Sequence, residues 1–189
     1  MFNLSTQEVV LSIEKSPLLV KQGIIYQEYQ NFFGNDILDE LKDTENLKTK
    51  AFTYSGHDVI PGRNLIDYSE TISKKMKIFF SGAKITKSLE TKFNTDLKFS
   101  SVDVWTDNPG YFLPPHTDDP SIKLSLQIYL GEGPNVGTSL FDSNNNILGT
   151  FEYKFNCGYA LLNNEVSIHG LADKVPNNNL RKSIYVRYS

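Results

Sequence analysis

From residue 97 onward the apolar positions recur at every second residue. The segments KFSSVDVWT, SIKLSLQIYLG, TSLFD, ILGTFEYK, CGYALLNN and KSIYVRYS are short, rich in β-branched and aromatic side chains, and separated by Gly, Pro, Asn or Asp. Period-two alternation sorts side chains onto the two faces of a strand, and the intervening residues supply the turns. A run of short strands with turn signals at this spacing argues for a β-sandwich or jelly roll.

The chain before residue 97 reads differently. GIIYQEYQNFF has strand character, whereas GNDILDELKDTENLK carries Ile37, Leu38 and Leu41 at helical spacing, with Asn35 or Asp36 as the cap. Further on, Ile72, Met76, Phe79 and Phe80 fall on one helical face and Ile85, Leu89 and Phe93 on another, with Ser81-Gly82 as the break between two helices. The expectation is a mainly β protein with an α cover, one domain over 1–189. Residues 1–96 form its helical part, packed on one sheet, and residues 97–189 supply most of the β core. The Asn triplets 144–146 and 177–179 read as loop tips.

Composition narrows the function classes. The 189 residues are 39% hydrophobic and 22% charged, enough to bury a core. The formal net charge of −3 and the lack of a basic block argue against a protein that holds nucleic acid mainly through phosphates. Cys157 is the only cysteine, which excludes an intramolecular disulfide and an all-thiolate metal site. The N-terminal MFNLSTQEVVLSIEKSPLLV has no basic leader and is interrupted by Glu8, Glu14 and Lys15, so neither a signal peptide nor a membrane span is expected there. A cytoplasmic location follows as the expectation.

The chemistry centres on YFLPPHTDDPS. The chain has three histidines, and here His116 precedes Asp118 by two residues, directly after Pro114-Pro115. Alternate residues of a strand point the same way, about 6.6 Å apart, so the pair can converge on one metal ion. Asp118-Asp119-Pro120 is also good turn chemistry in its own right, and Asp119 reads as a loop residue. His169, in EVSIHGL, supplies a third donor; two imidazoles and one carboxylate form the facial triad of non-haem iron oxygenases. A buried neutral histidine is the plainer reading of His169, and its spacing argues for the ligand.

Arginine usage adds a clue. Lys and Arg together number 19, of which only Arg63, Arg181 and Arg187 are Arg. A chain that prefers Lys keeps Arg where a planar, bidentate fork is needed, as for a carboxylate. Arg181 stands twelve residues after His169, and Ser183 shares its side of the strand. His57 and Arg63, in SGHDVIPGRN, lie in a loop-like segment able to cover the site, although a lone His or Arg is more often a surface residue.

Taken together, YFLPPHTDD, IHG and RKS resemble the pattern of the Fe(II)/2-oxoglutarate-dependent oxygenase superfamily, over residues 97–189. SLQIYLGEG and GYALLNNEVSIHG are similar to segments of its prolyl-hydroxylase-like branch. The resemblance implies a double-stranded β-helix (jelly-roll or cupin-like) core with His116, Asp118 and His169 as catalytic metal ligands. Arg181 and Ser183 would hold the distal carboxylate of 2-oxoglutarate. Tyr129 matches a cosubstrate-contacting tyrosine of some prolyl hydroxylases, and Tyr111 matches one more faintly. The implied cofactors are Fe(II), 2-oxoglutarate and O2, with ascorbate as an optional reductant. The implied activity is hydroxylation of a C–H bond in a peptidyl or free amino acid or another small molecule, with release of succinate and CO2. Arg181 and Arg187 also fit the Arg-x5-Arg ending of AlkB-like nucleic-acid demethylases, whereas the plainer reading of Arg187 is a strand-end Arg on the surface or paired with a carboxylate. A non-catalytic jelly-roll binding module is the alternative from another class.

Overall fold

The computed structural model describes residues 6–41, 48–54, 58–66, 70–134 and 136–189. In chain order the elements are α1 (Gln7–Lys15), β1 (Leu19–Lys21), β2 (Ile24–Tyr29), α2 (Asn35–Leu41), β3 (Thr49–Tyr54), β4 (Asp58–Ile66), α3 (Glu70–Phe80) and α4 (Ala83–Phe93). There follow β5 (Phe99–Asp107), β6 (Leu124–Tyr129), β7 (Thr138–Phe141), β8 (Ile147–Thr150), β9 (Gly158–Leu162), β10 (His169–Leu171) and β11 (Arg181–Tyr188). The strands form an antiparallel sheet in the order β1-β2-β9-β6-β11-β5-β4-β3, facing a smaller sheet, β10-β7-β8. This is the jelly roll, one of the two arrangements the alternating pattern allows and the one the resemblance implies.

Alternation decides what each face of the large sheet meets. Val102, Val104, Leu124, Leu126, Ile128, Ala160, Ile184 and Val186 point outward into one core with Val9, Ile13, Phe79, Phe80, Ile85, Leu89 and Phe93 of the helices. The opposite face meets the small sheet in a second core containing Tyr129, Leu140, Phe151, Tyr159 and Leu171. The helix break falls at Ser81-Gly82, and α4 stops where Asn94 adopts a left-handed backbone. α2 runs Asn35–Leu41; the rest of its sequence pattern, residues 42–47, lies outside the described residues.

The helical reading of residues 1–96 needs correction, because that part also contributes four of the eight strands of the large sheet. The β3–β4 hairpin extends one edge, and β1–β2 extend the other through β9. Pro61 and Gly62 gave DVIPGRNLI the look of a loop. The strand accommodates them near an edge, with Gly62 at φ 84° and a register shift between Ala51 and Thr53 on its partner β3. α1 has only a narrow apolar stripe in its sequence, since only Val9 and Ile13 of its nine residues are buried. Its C-terminal end is held by Lys92 Nζ, which donates to the carbonyls of Glu14 and Ser16 at 2.8 and 2.9 Å. Among the described residues, no helix is long and apolar enough to cross a membrane.

Candidate metal centre and cosubstrate pocket

Strand register builds the site row by row on the inner face of the large sheet. Arg63, Asp107 and Arg181 stand directly opposite one another on β4, β5 and β11. Leu65, Trp105, Ser183 and Tyr129 form the next row, and Asp103, Tyr185, Gln127 and Tyr159 the third. Ser101, Arg187, Ser125 and Leu161 complete a fourth. Every member is spaced two residues from its neighbour along the strand, so all of these positions share one face.

Over the far rows lie His116, Asp118 and His169, with one potential ligand atom from each all within 4.8 Å of one another. Residues 116–118 are not a strand, as simple alternation would have had them. His116 instead makes an isolated antiparallel bridge to His169: its N–H donates to the His169 carbonyl at 2.9 Å, and the His169 N–H donates back at 2.8 Å. The two imidazoles are therefore fixed relative to each other by backbone, with ring centroids 4.6 Å apart. Gly170 makes the approach possible, since a Cβ there would meet the carbonyl oxygens of Leu113 and Pro114 at 2.7 and 2.8 Å.

Hydrogen bonds orient each donor. Nδ1 of His116 lies 2.9 Å from the Pro114 carbonyl and Nδ1 of His169 lies 2.9 Å from the Ser167 carbonyl, so both Nδ1 atoms carry the proton. Both Nε2 atoms are left with free lone pairs. Tyr185 Oη donates to Asp118 Oδ2 at 2.8 Å and Ser125 Oγ donates to the same oxygen, leaving Oδ1 turned to His169 Nε2 at 3.8 Å. Burial lowers the His116 pKa, and the neighbouring His169 adds to the shift. Burial alone would raise the Asp118 carboxyl, but the His169 ring and the bonds from Ser125 and Tyr185 outweigh it and hold the pKa below the usual range. Burial and the Asp118 charge push the Tyr185 phenol well up, so it stays a donor. A neutral His116 imidazole and an ionised Asp118 carboxylate are the protonation states a metal ion needs of them.

A cavity of about 220 Å³ connects the triad to Arg181. It is smaller than the roughly 300–1,000 Å³ pockets of drug-sized ligands, a size suited to a small molecule. Arg63, Arg181 and Arg187, all the arginines of the chain, line it, and no lysine does among the described residues. Arg181 is 2% exposed and is braced by Nε to the Val136 carbonyl (2.7 Å), Nη1 to Asp107 (2.7 Å) and Nη2 to Thr138 Oγ1 (2.9 Å). Burial opposes its charge, but Asp107 raises its pKa further above the ordinary arginine value.

The other residues expected at the cosubstrate stand one step back. Ser183 Oγ accepts from Gln127 Nε2 at 2.8 Å, Tyr129 Oη accepts the Thr138 N–H at 2.9 Å, and neither lines the cavity. Tyr111 packs its ring on the Arg63 guanidinium at 4.6 Å, also behind the wall, and burial pushes its phenol up to about 12. The wall is made instead by Gln127, Thr138, Tyr159 and Trp105, none of which was singled out as a functional candidate from the sequence. The register carried the signal, since Gln127 and Tyr159 share a row with Tyr185. His57 lies outside the described residues. Arg187 pairs with Asp103 and packs beside the Tyr185 ring, the paired strand-end arrangement.

This jelly roll, with two histidines and an aspartate at one end of its barrel, is the fold of the 2-oxoglutarate/Fe(II) oxygenase structures. A 2OG-Fe(II) oxygenase family protein from Burkholderia pseudomallei superposes with a TM-score of 0.65 at 14% identity, covering 87% of this chain and 85% of that one. A prolyl hydroxylase from Trichoplax adhaerens, in complex with a hypoxia inducible factor peptide, gives 0.62 at 13% identity over 97% and 88%. HygX from Streptomyces hygroscopicus, with nickel, 2-oxoglutarate and hygromycin B bound, gives 0.60 at 11% over 87% and 82%. No known protein-family profile matches the sequence, and no curated protein does.

Proposed function

We propose that the protein is an Fe(II)- and 2-oxoglutarate-dependent dioxygenase that hydroxylates a C–H bond of a peptidyl or free amino acid or another small molecule. The observation that carries this reading is the outward bracing of the triad. Two imidazole Nδ1 atoms and one carboxylate oxygen are spent on carbonyls and hydroxyls, which leaves two Nε2 atoms and Asp118 Oδ1 turned to a common point. That donor set fits Fe(II) with open positions for further ligands.

Arg181, at the end of the cavity away from the triad, is the seat for the distal carboxylate of 2-oxoglutarate, and the Thr138 and Tyr159 hydroxyls and the Gln127 amide line the route to it. Bound together, iron and 2-oxoglutarate would supply the oxidising power, one oxygen atom of O2 entering the product and the other entering succinate as CO2 leaves. The protein holds the donors, keeps Tyr185 protonated against Asp118, and encloses the reacting centre between two sheets. Neighbours with a peptide and with hygromycin B bound share this fold, which supports the breadth of the substrate class. The ion pair of Arg187 with Asp103 and the net charge of −3 favour this reading over nucleic-acid demethylation.

The test is anaerobic addition of Fe(II) and 2-oxoglutarate, with a visible charge-transfer band expected. Succinate release in air should follow and should vanish in His116→Ala and Asp118→Ala. A protein that shows no band, or full succinate release without either ligand, overturns the assignment.

A further inference from the structure

The row Arg63–Asp107–Arg181 sets two guanidiniums against one carboxylate in the buried interior. Arg63 is 4% exposed, Asp107 0% and Arg181 2%. Arg63 gives Asp107 both of its forks, Nε to Oδ1 at 2.6 Å and Nη2 to Oδ2 at 2.9 Å. Arg181 gives it one, Nη1 to Oδ2 at 2.7 Å. The Arg63 plane is fixed by two rings, Trp105 at 4.1 Å and Tyr111 at 4.6 Å from the guanidinium carbon. Among the described residues, Asp107 is the carboxylate that both arginines reach. The row therefore carries an excess positive charge facing the cavity, and a buried uncompensated cation is stabilised by an anion that reaches it.

We infer that Arg63 is a positioning residue for the cosubstrate: it takes up the Asp107 carboxylate so that Arg181 keeps its positive charge for the distal carboxylate of the bound dicarboxylic acid. With Arg63 absent, Asp107 turns its whole charge on Arg181, and the seat becomes a neutral ion pair. The direction of the Arg181 fork is held independently by the Val136 carbonyl and the Thr138 hydroxyl. The inference rests on the dioxygenase reading for the identity of the acid. The excess charge rests on the row itself.

Trp105, the only tryptophan, lines the cavity between Arg63 and Tyr185, so its fluorescence reads occupancy without turnover. The probe is 2-oxoglutarate titrated into protein loaded with Ni(II), followed by this fluorescence and by calorimetry. Arg63→Met keeps the length and covers the indole but removes the charge, and it should weaken 2-oxoglutarate binding at least about tenfold while leaving Ni(II) affinity unchanged. Adding Asp107→Asn removes the competing carboxylate, and the double variant should recover most of the loss. Arg63→Lys retains the charge and should stay within about threefold of wild type.

Unchanged binding in Arg63→Met overturns the inference. So does a double variant no better than the single, or a Lys variant as weak as the Met one. Should Arg63→Met not fold, the Lys variant and Asp107→Asn decide: Asp107→Asn is expected to bind at least as tightly as wild type, and weakened binding there counts against the scheme. Wild type that takes up Ni(II) but shows no response to 2-oxoglutarate would instead refute the dioxygenase reading.

Discussion

Replacing Gly170 by Ala perturbs the metal centre without touching a ligand. The added Cβ would stand 2.7 Å from the Leu113 carbonyl oxygen and 2.8 Å from that of Pro114, where ordinary contact begins at 3.4 Å. Both neighbours are backbone, so the strand or segment 113–116 has to move as a unit. That segment is tied to β10 by His116 N–H to His169 O, His169 N–H to His116 O and Leu171 N–H to Leu113 O, at 2.9, 2.8 and 2.8 Å. Relieving the clash stretches these bonds and separates the two histidines that the bridge holds in register. Overpacking of this kind costs about 1–3 kcal/mol of stability. Displaced ligands with their orienting bonds disturbed lose about 10–100-fold in metal affinity. Calorimetric titration with Ni(II) and thermal unfolding measure both. The control is Gly149→Ala on β8, where a Cβ meets only the Lys21 amine at 3.8 Å and stability should change by no more than about 0.5 kcal/mol. A Gly170→Ala protein with wild-type Ni(II) affinity would refute the claim that the backbone bridge sets the ligand geometry.

Other variants separate the parts of the site. Tyr185→Phe removes the 2.8 Å bond to Asp118 and should weaken Ni(II) binding about tenfold with little change in 2-oxoglutarate affinity, read by the same titrations. Arg181→Ala should do the reverse, raising the 2-oxoglutarate concentration needed for succinate release by at least about a hundredfold while the metal still binds. Asn156→Ala tests the fold away from the site: its side chain accepts from Phe33 N–H at 2.8 Å and donates to Phe33 O at 3.0 Å. It also sits at φ 60°, so a loss of about 2–4 kcal/mol is expected in denaturant unfolding.

The β core was legible because its strands alternate cleanly and end in turn residues; β6, β7, β8 and β9 lie within the segments that the pattern marks, and β5 and β11 overrun theirs by one residue. α3 and α4 were legible for the same reason at the other period, with Phe79, Phe80, Ile85, Leu89 and Phe93 all buried. What hid was structure whose stability comes from its neighbours. β4 contains Pro61 and Gly62 and is a strand because β5 pairs with Arg63, Asn64 and Leu65. β10 is three residues long and exists because β7 and the 113–116 segment flank it. Local propensity carries no trace of such pairing.

The same distinction runs through the site. His116, Asp118, His169 and Arg181 could be marked from residue type and spacing, whereas Gln127, Tyr159, Tyr185 and Ser125 are ordinary residues until the register sets them in rows. Arg63 stands between the two. Its residue type marks it, but in sequence it sits in a loop-like Gly-Arg-Asn, and only opposite Asp107 does it become the second cation of a buried triad. An Arg181 facing Asp107 alone would be spent as a neutral pair. The hairpin that alternation failed to mark therefore supplies the charge that lets the marked arginine receive an anion.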